Sequence, residues 1–289
     1  MKAILKSILT RHYSSSQVKI QILSDLHLEV GQQYSSFTFP ARAPFLLLGG
    51  DIGRLIDYDG YLKFLESQAC RFQKVFLVLG NHEFYGLEYL SGLEQARRLV
   101  QEPTILDTVV LLNRSRWDDP VSGLTIIGCT LWSHISEDVR HLVESRINDF
   151  KKIQGWTSGR HNDTHAEEAA WLHDQVTHAA AAGDGARDAR KILVATHHAP
   201  CVQGSSRPQD SGNPWTCAFA TDLLGQRDWS RVRLWVFGHT HHSTDMVRNG
   251  VRLVANQRGY VLPGSAADEA GGKTRRGLGG FDPGKVVAL

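Results

Sequence analysis

Aspartate, asparagine and histidine recur in this sequence at the ends of apolar runs. Asp25 and His27 follow VKIQILS, Asp51 follows FLLLGG, and Asn81, His82 and Glu83 follow VFLVLG; His197 and His198 follow KILVAT, and His239, His241 and His242 follow LWVFG. Imidazole nitrogens combined with carboxylate and amide oxygens suit borderline divalent ions such as manganese, iron, zinc or cobalt, rather than the all-oxygen cage of calcium or an all-sulfur site. The donors outnumber the positions of one tetrahedral ion. A two-metal site fits, with ions ~3.5–4 Å apart, and such sites drive in-line displacement at phosphorus or amide hydrolysis. Asp51 is the carboxylate best suited to bridge. A single histidine at a strand end is more often an ordinary surface or core side chain; five ends of this composition set the group apart. The histidines outside that context, including His134, His141, His161, His165, His173 and His178, lie in helical or loop sequence and read as solvated.

The runs that deliver these residues are continuous and of strand length, the pattern of strands covered on both faces. Between them, segments 61–72, 87–101 and 163–182 place apolar residues near helical spacing. Alternation of strand and helix gathers the C-terminal strand ends on one edge, where α/β proteins keep their sites, so the five groups meet in space. Taken by itself this alternation suggests a simple doubly wound sheet. Gly50, Gly80 and Gly238 each precede one of the polar residues, where the missing Cβ permits close approach. Farther on, Asn249-Gly250 predicts a hairpin turn, residues 263–280 a flexible insertion, and Lys285–Leu289 a last strand. No internal duplication is visible, so residues 18–289 read as a single domain behind a basic leader, 1–17.

The composition narrows the class. With 289 residues, 42% hydrophobic and 21% charged, the chain buries a core without staples. Its 32 basic and 30 acidic residues leave a net charge of +2, no global field for nucleic acid. Cys70, Cys129, Cys201 and Cys217 are scattered without a CxxC pair and read as reduced thiols of an intracellular, cytoplasmic protein. No apolar run approaches the ~20 residues of a membrane span. The N-terminal stretch carries Lys2, Lys6 and Arg11 within the leader and Lys19 just after it, with no acidic residue before Asp25, and Ile4, Leu5, Ile8 and Leu9 share a helical face. It reads either as a frayed basic segment or as a mitochondrial presequence, the alternative location.

The blocks DLH (25–27), GD (50–51), GNHE (80–83), the first histidine of THHAP (197) and GHTH (238–241) resemble the five-block signature of the calcineurin-like metallophosphoesterases. The resemblance implies an α/β fold, a four-layer α/β/β/α sandwich of two mixed β-sheets flanked by helices, in place of the single doubly wound sheet. It assigns Asp25, His27 and His241 to one divalent metal ion and Asn81, His197 and His239 to a second, with Asp51 bridging and the ions' identity (manganese, iron or zinc) open. It leaves His82 uncoordinated, facing the phosphoryl or leaving group, with Glu83 behind it, and it implies attack by a bridging hydroxide. His198 and His242 fall outside the pattern and read as supporting residues at most.

The expected activity is metal-dependent hydrolysis of a phosphate diester or monoester, and the expected partner is a small or nucleotide-like phosphorylated substrate. The family's protein phosphatases continue the second block as GDxVDRG and place arginine before GNHE, whereas this chain has GDIGRLID and Leu79; the small phosphodiesterase and GNHEFYG branches fit better. A long Gly, Ser and Pro-rich loop, 201–222, follows His197, and from it Arg207, Trp215 and Phe219 are candidate substrate contacts, while 130–135 and 147–153 are candidates for the opposite wall. Two competing readings remain: a nuclease, for which no basic and aromatic track is evident, and a non-catalytic scaffold, which one retromer subunit of the same fold exemplifies. Scaffolds of that kind usually lose ligands that this chain retains.

Overall fold

A computed structural model of the chain describes residues 17–119, 121–181, 190–210, 212–262, 264 and 280–289. The expected leader, apart from Gln17, and most of the expected insertion at 263–280 lie outside the described residues. In chain order the elements are β1 (Lys19–Leu23), β2 (Phe45–Gly49), α1 (Tyr58–Ala69), β3 (Lys74–Val78), α2 (Tyr89–Leu99), β4 (Val109–Leu111), β5 (Ser115–Asp118) and β6 (Leu124–Cys129). They continue as α3 (Arg140–Arg146), α4 (Asp149–Lys152), α5 (Ser158–Ala181), β7 (Lys191–Thr196), β8 (Val232–Phe237), β9 (Thr244–Arg248), β10 (Val251–Ala255) and β11 (Val286–Ala288).

These strands form two mixed sheets in place of one. The first has the order β11-β1-β2-β3-β4 and the second β5-β6-β7-β8-β10-β9. In each, the central strands run parallel while the outer strands β11, β5 and β9 pair antiparallel. The period-2 alternation of a strand shows why both sheets read as fully apolar. Ile20, Ile22, Leu47, Phe76 and Val78 of the first sheet meet Leu193, Leu234 and Val236 of the second in a layer between them. The alternate residues Leu46, Leu48 and Leu77 pack outward against Phe64, Leu65 and Leu93 of α1 and α2. On the far side Ile192, Val194, Trp235 and Phe237 pack outward against Leu172 and Val176 of α5. Sequence periodicity registers that both strand faces are covered but not whether a helix or another sheet covers them.

The three expected helices are present, each begun within five residues of its expected start, and the Asn249-Gly250 hairpin is present with φ of 46° and 81° at the two turn residues, the left-handed pair that joins twisted strands. The strand β6 went unread despite six buried residues in a row. His161 and His165 overturn the solvated reading of the remaining histidines: both are buried on the inner face of α5, and burial, then the neighbouring His165, pushes His161 down to about 3. All four cysteines are free, and among the described residues no helix is long and apolar enough to cross a membrane.

Candidate metal centre

The ends of β1, β2 and β3 and of β7 and β8 point to one place at the seam of the two sheets. Asp25 and His27 follow β1, Asp51 follows β2, Asn81 and His82 follow β3, His197 follows β7, and His239 and His241 follow β8. The turns that aim them are unusual for residues bearing a Cβ: Asp25, His27, Asp51, His239 and His241 have φ of 53°, 48°, 53°, 71° and 48°. Residues so held cost roughly 1–3 kcal/mol each and gather where surrounding structure imposes a functional geometry. Space is as tight as the torsions. A Cβ on Gly80 would lie 2.2 Å from Asp51 Oδ1 and 2.7 Å from His197 Nε2, so glycine is required by contact there.

Within the site, His197 Nε2 lies 3.3 Å from Asp51 Oδ1 and 3.1 Å from Asn81 Oδ1. His27 Nε2 lies 3.8 Å from Asp51 Oδ2 and 2.8 Å from His241 Nε2, which is in turn 3.5 Å from Asp25 Oδ1. Donor atoms of Asp25, His27 and His241 all fall within 4.8 Å of one another, as do those of Asp51, His197 and His239. Donor atoms of His27, Glu29 and His82 form a third such group. The resemblance assigns the first set to one ion and Asn81, His197 and His239 to another, with Asp51 bridging, and N and O donors of this kind fit borderline divalent ions. The supporting contacts fit as well, because each fixes which atom faces inward. His197 Nδ1 bonds the Gly49 carbonyl at 2.9 Å, and His27 Nδ1 lies 3.3 Å from Glu29, leaving Nε2 of each for the centre. Asn81 Nδ2 donates to Asp149 Oδ1 at 2.7 Å, so its Oδ1 is the atom that faces His197.

Burial opposes every charge here, and the outcome depends on neighbours. Burial would raise Asp51, but the positive charges of His197 and His82 hold it well below the usual carboxylate range. Asp25, pushed up to about 7 by burial and also by Asp51, is the less favoured anion. His197 is pulled up to about 10 because Asp51 and Asp25 outweigh its burial. Proton affinity is therefore concentrated on His197 and Asp25, whereas burial pushes His27, His239 and His241 down and leaves their nitrogens free to donate lone pairs. Behind Asp51, the fully buried Glu83 accepts N–H bonds from Asp51, Ile52 and Gly80 at 2.9, 2.9 and 2.7 Å, and the Tyr61 hydroxyl at 2.9 Å. Its burial, then the Asp51 charge, pushes it up to about 7 against these donors.

His82 lies among the ligand residues and shares two contacts, Glu29 Oε1 and Asp51 Oδ2, with His27. Its Nδ1 is 2.8 Å from Glu29 Oε1, its Nε2 is 3.0 Å from the Tyr260 hydroxyl and 3.9 Å from Asp51 Oδ2, and its ring lies 4.2 Å from that of Tyr85. Asp51 and Glu29 raise its pKa against burial. Glu29, Tyr85, Asp149 and Tyr260 are absent from the signature blocks that carried the sequence reading, except that Tyr85 follows GNHE. Glu29 occupies the second position after His27, outside every block of the signature.

A cavity of about 330 Å³ opens over the centre, lined beyond the donors by Arg146, Ile147, Asp149, Arg207 and Phe219. Phe219 stacks on His239 at 4.7 Å. Trp215 does not line this cavity; it packs with Ile135, Val143 and Ala218, beneath the guanidinium of Arg146. His198 is buried against the other face of His239 at 4.0 Å, and burial holds it neutral, while half-buried His242 stands outside the cavity. Of the two segments considered for a facing wall, 147–153 supplies Ile147 and Asp149. The other, 130–135, lies beneath the site: the Thr130 carbonyl accepts the His197 and His198 N–H groups.

Comparison with known proteins places this arrangement. The curated "Uncharacterized protein L509" of Acanthamoeba polyphaga mimivirus is 25% identical over 269 residues, covering 83% of this chain and 91% of that protein. The solved phosphopantetheinyl hydrolase of Mycobacterium tuberculosis shares the fold at a TM-score of 0.60 with 17% identity, over 85% of this chain and 91% of its own. The family model for calcineurin-like phosphoesterases matches residues 18–243, from the start of β1 through the last of the clustered histidines. This chain therefore belongs to the calcineurin-like phosphoesterase family.

Proposed function

We propose that this chain is a metal-dependent phosphodiesterase for a small or nucleotide-like phosphate ester. The observation that carries the reading is the convergence of Asp25, His27, Asp51, Asn81, His197, His239 and His241 on one point, with the inward atoms of His27, His197 and Asn81 fixed by Glu29, Gly49 and Asp149. A scaffold has no need of that orientation. Two divalent ions bound there would neutralise the phosphoryl oxygens and lower the pKa of water. The chain's own groups do the rest. Arg146 and Arg207 bring positive charge to the mouth for the substrate's remaining anionic oxygen. His82, held at Nδ1 by Glu29, presents Nε2 toward the centre, where a departing oxygen takes up a proton.

Purified protein loaded with manganese, its ion content measured, should hydrolyse a phosphate diester faster than the corresponding monoester and lose activity in chelator. Inactivity on both esters with ions bound would overturn the proposal and favour the scaffold.

A further inference from the structure

Beside the cavity over the metal centre lies a second, of about 580 Å³. The two share His82, Tyr85, Asn148 and Tyr260, so the imidazole that faces the metal centre is also part of the wall of the neighbouring space. Resting on the phosphodiesterase reading, we propose that this second cavity is the leaving-group subsite and that it takes a ring-bearing alcohol or phenol with a negative charge of its own, held by Lys152.

The geometry supplies the location. A phosphoryl group over Asp51 has the metal ligands on one side and His82 with Tyr260 on another, and the Tyr260 hydroxyl reaches His82 Nε2 at 3.0 Å. A substituent leaving past His82 passes into the second cavity. The walls supply the preference for a ring. Tyr85 is fixed by donating to Asp149 at 2.7 Å, and Tyr260, 4.2 Å from the ring of His27, keeps 55% of its surface exposed. Two anchored aromatic side chains suit a flat group between or against them.

The charges decide the sign. Glu29 at the inner wall is engaged through Oε1 by His27 and His82, while its buried Oε2 has no hydrogen-bond partner among the described residues, so its negative charge stays at the inner end of the cavity. Arg54 is committed to Asp57 through bonds of 3.0 and 2.9 Å. Lys152 stands exposed with its Nζ 5.0 Å from the centre of the Tyr85 ring, and among the described residues no carboxylate pairs with it. Its backbone is fixed independently of the side chain, since its carbonyl accepts the Gly86 N–H at 2.8 Å. A cationic leaving group would meet this ammonium directly; an anionic one completes it.

The test uses manganese-loaded full-length protein and three aryl methyl phosphates, whose phenols carry a para carboxylate, carboxamide or trimethylammonium group. Comparing ratios of kcat/KM between wild type and Lys152→Met cancels their intrinsic reactivities. The carboxylate-over-carboxamide ratio should fall about 5- to 20-fold in Lys152→Met, the scale of one charge-assisted contact, mainly through KM. Lys152→Glu should turn the preference toward the trimethylammonium ester. A ratio unchanged in both variants overturns the subsite while leaving the phosphodiesterase intact. If wild type with bound ions hydrolyses none of the esters, the phosphodiesterase reading fails, and the subsite is judged separately by NMR: metal-free protein should broaden the resonances of 4-hydroxybenzoate, and Lys152→Met should not. Equal broadening by both, or none by wild type, overturns it.

Discussion

Replacing Glu83 with glutamine asks whether the loops around Asp51 are held together by a carboxylate. At pH 8.5, above the value of about 7 to which burial raises it, Glu83 is ionised. Gly80 and Asp51 donate to Oε2, and Ile52 and Tyr61 to Oε1. Glutamine keeps the shape but turns one oxygen into a donor. Its least costly orientation sets the NH2 group toward Tyr61, whose hydroxyl can rotate to accept, and this leaves the Ile52 N–H, and the Gly53 N–H at a weaker 3.5 Å, facing another donor. The orphaned Ile52 donor alone costs ~1–3 kcal/mol, and the two bonds that remain lose their charge assistance, so the sum is about 2–4 kcal/mol. That is a large share of a typical ~5–15 kcal/mol total. Urea denaturation of metal-free protein at pH 8.5 reads the loss directly, and metal titration should show weaker binding because the Asp51 amide is no longer anchored. A stability within about 0.5 kcal/mol of wild type, the range of an inconsequential surface change, would refute the reasoning and mean that the side chain is already a neutral acid.

Other outcomes follow from the same geometry. Asp51→Ala should lose both ions, read by elemental analysis, and two ions retained per chain would refute its bridging place. His82→Ala should keep its ions and melting temperature yet lose roughly 10²–10⁴-fold in turnover, with a smaller loss for a nitrophenolate leaving group that needs little protonation; an equal loss on good and poor leaving groups would remove the acid role. Glu168, buried on α5 with both carboxylate oxygens unpartnered, is pushed up by burial from 4.5 to about 8. The folded chain therefore holds that proton more tightly than the unfolded one, and the stability present at low pH declines as pH rises from about 4.5 to about 8. Between pH 5.5 and 8 wild type should lose about 2–3 kcal/mol that Glu168→Gln does not, measured by denaturation at both values; parallel losses would refute it.

How much was legible in the sequence depended on distance along the chain. The strand ends could be read because a buried run that stops abruptly at Asp or His is a local signal, carried by residues such as Phe237 and His239 within three positions of each other. The division into two sheets was not local, since the partners of Ile22 and Leu47 across the sandwich are Leu193 and Val236. Tyr260 reaches His82 across 178 residues, from a loop with no pattern of its own. His161 and His165, four apart on a long helix rich in charged residues, have the spacing of a solvated stripe, and it is packing by residues outside the helix, Trp132, Phe150 and Trp156 against His161, that buries that side. Trp215 and Phe219 lie on one loop with similar chemistry and pack against the same apolar cluster, and a one-turn difference in placement lets Phe219 also stack on His239 and line the cavity while Trp215 does not.

Because the donors straddle the seam between the sheets, the centre also orders the assembly of the molecule in time. The His239 N–H that bonds Asp25 closes a separation of 214 residues, among the slowest kinds of contact for a chain to find. Neither sheet alone carries both Asp51 and His239, so the two must be docked before the full set of donors exists. Ions that bind only the complete set would act after that docking and leave the speed of folding nearly untouched. They would act on escape, lengthening the lifetime of the native state by slowing the parting of the two halves.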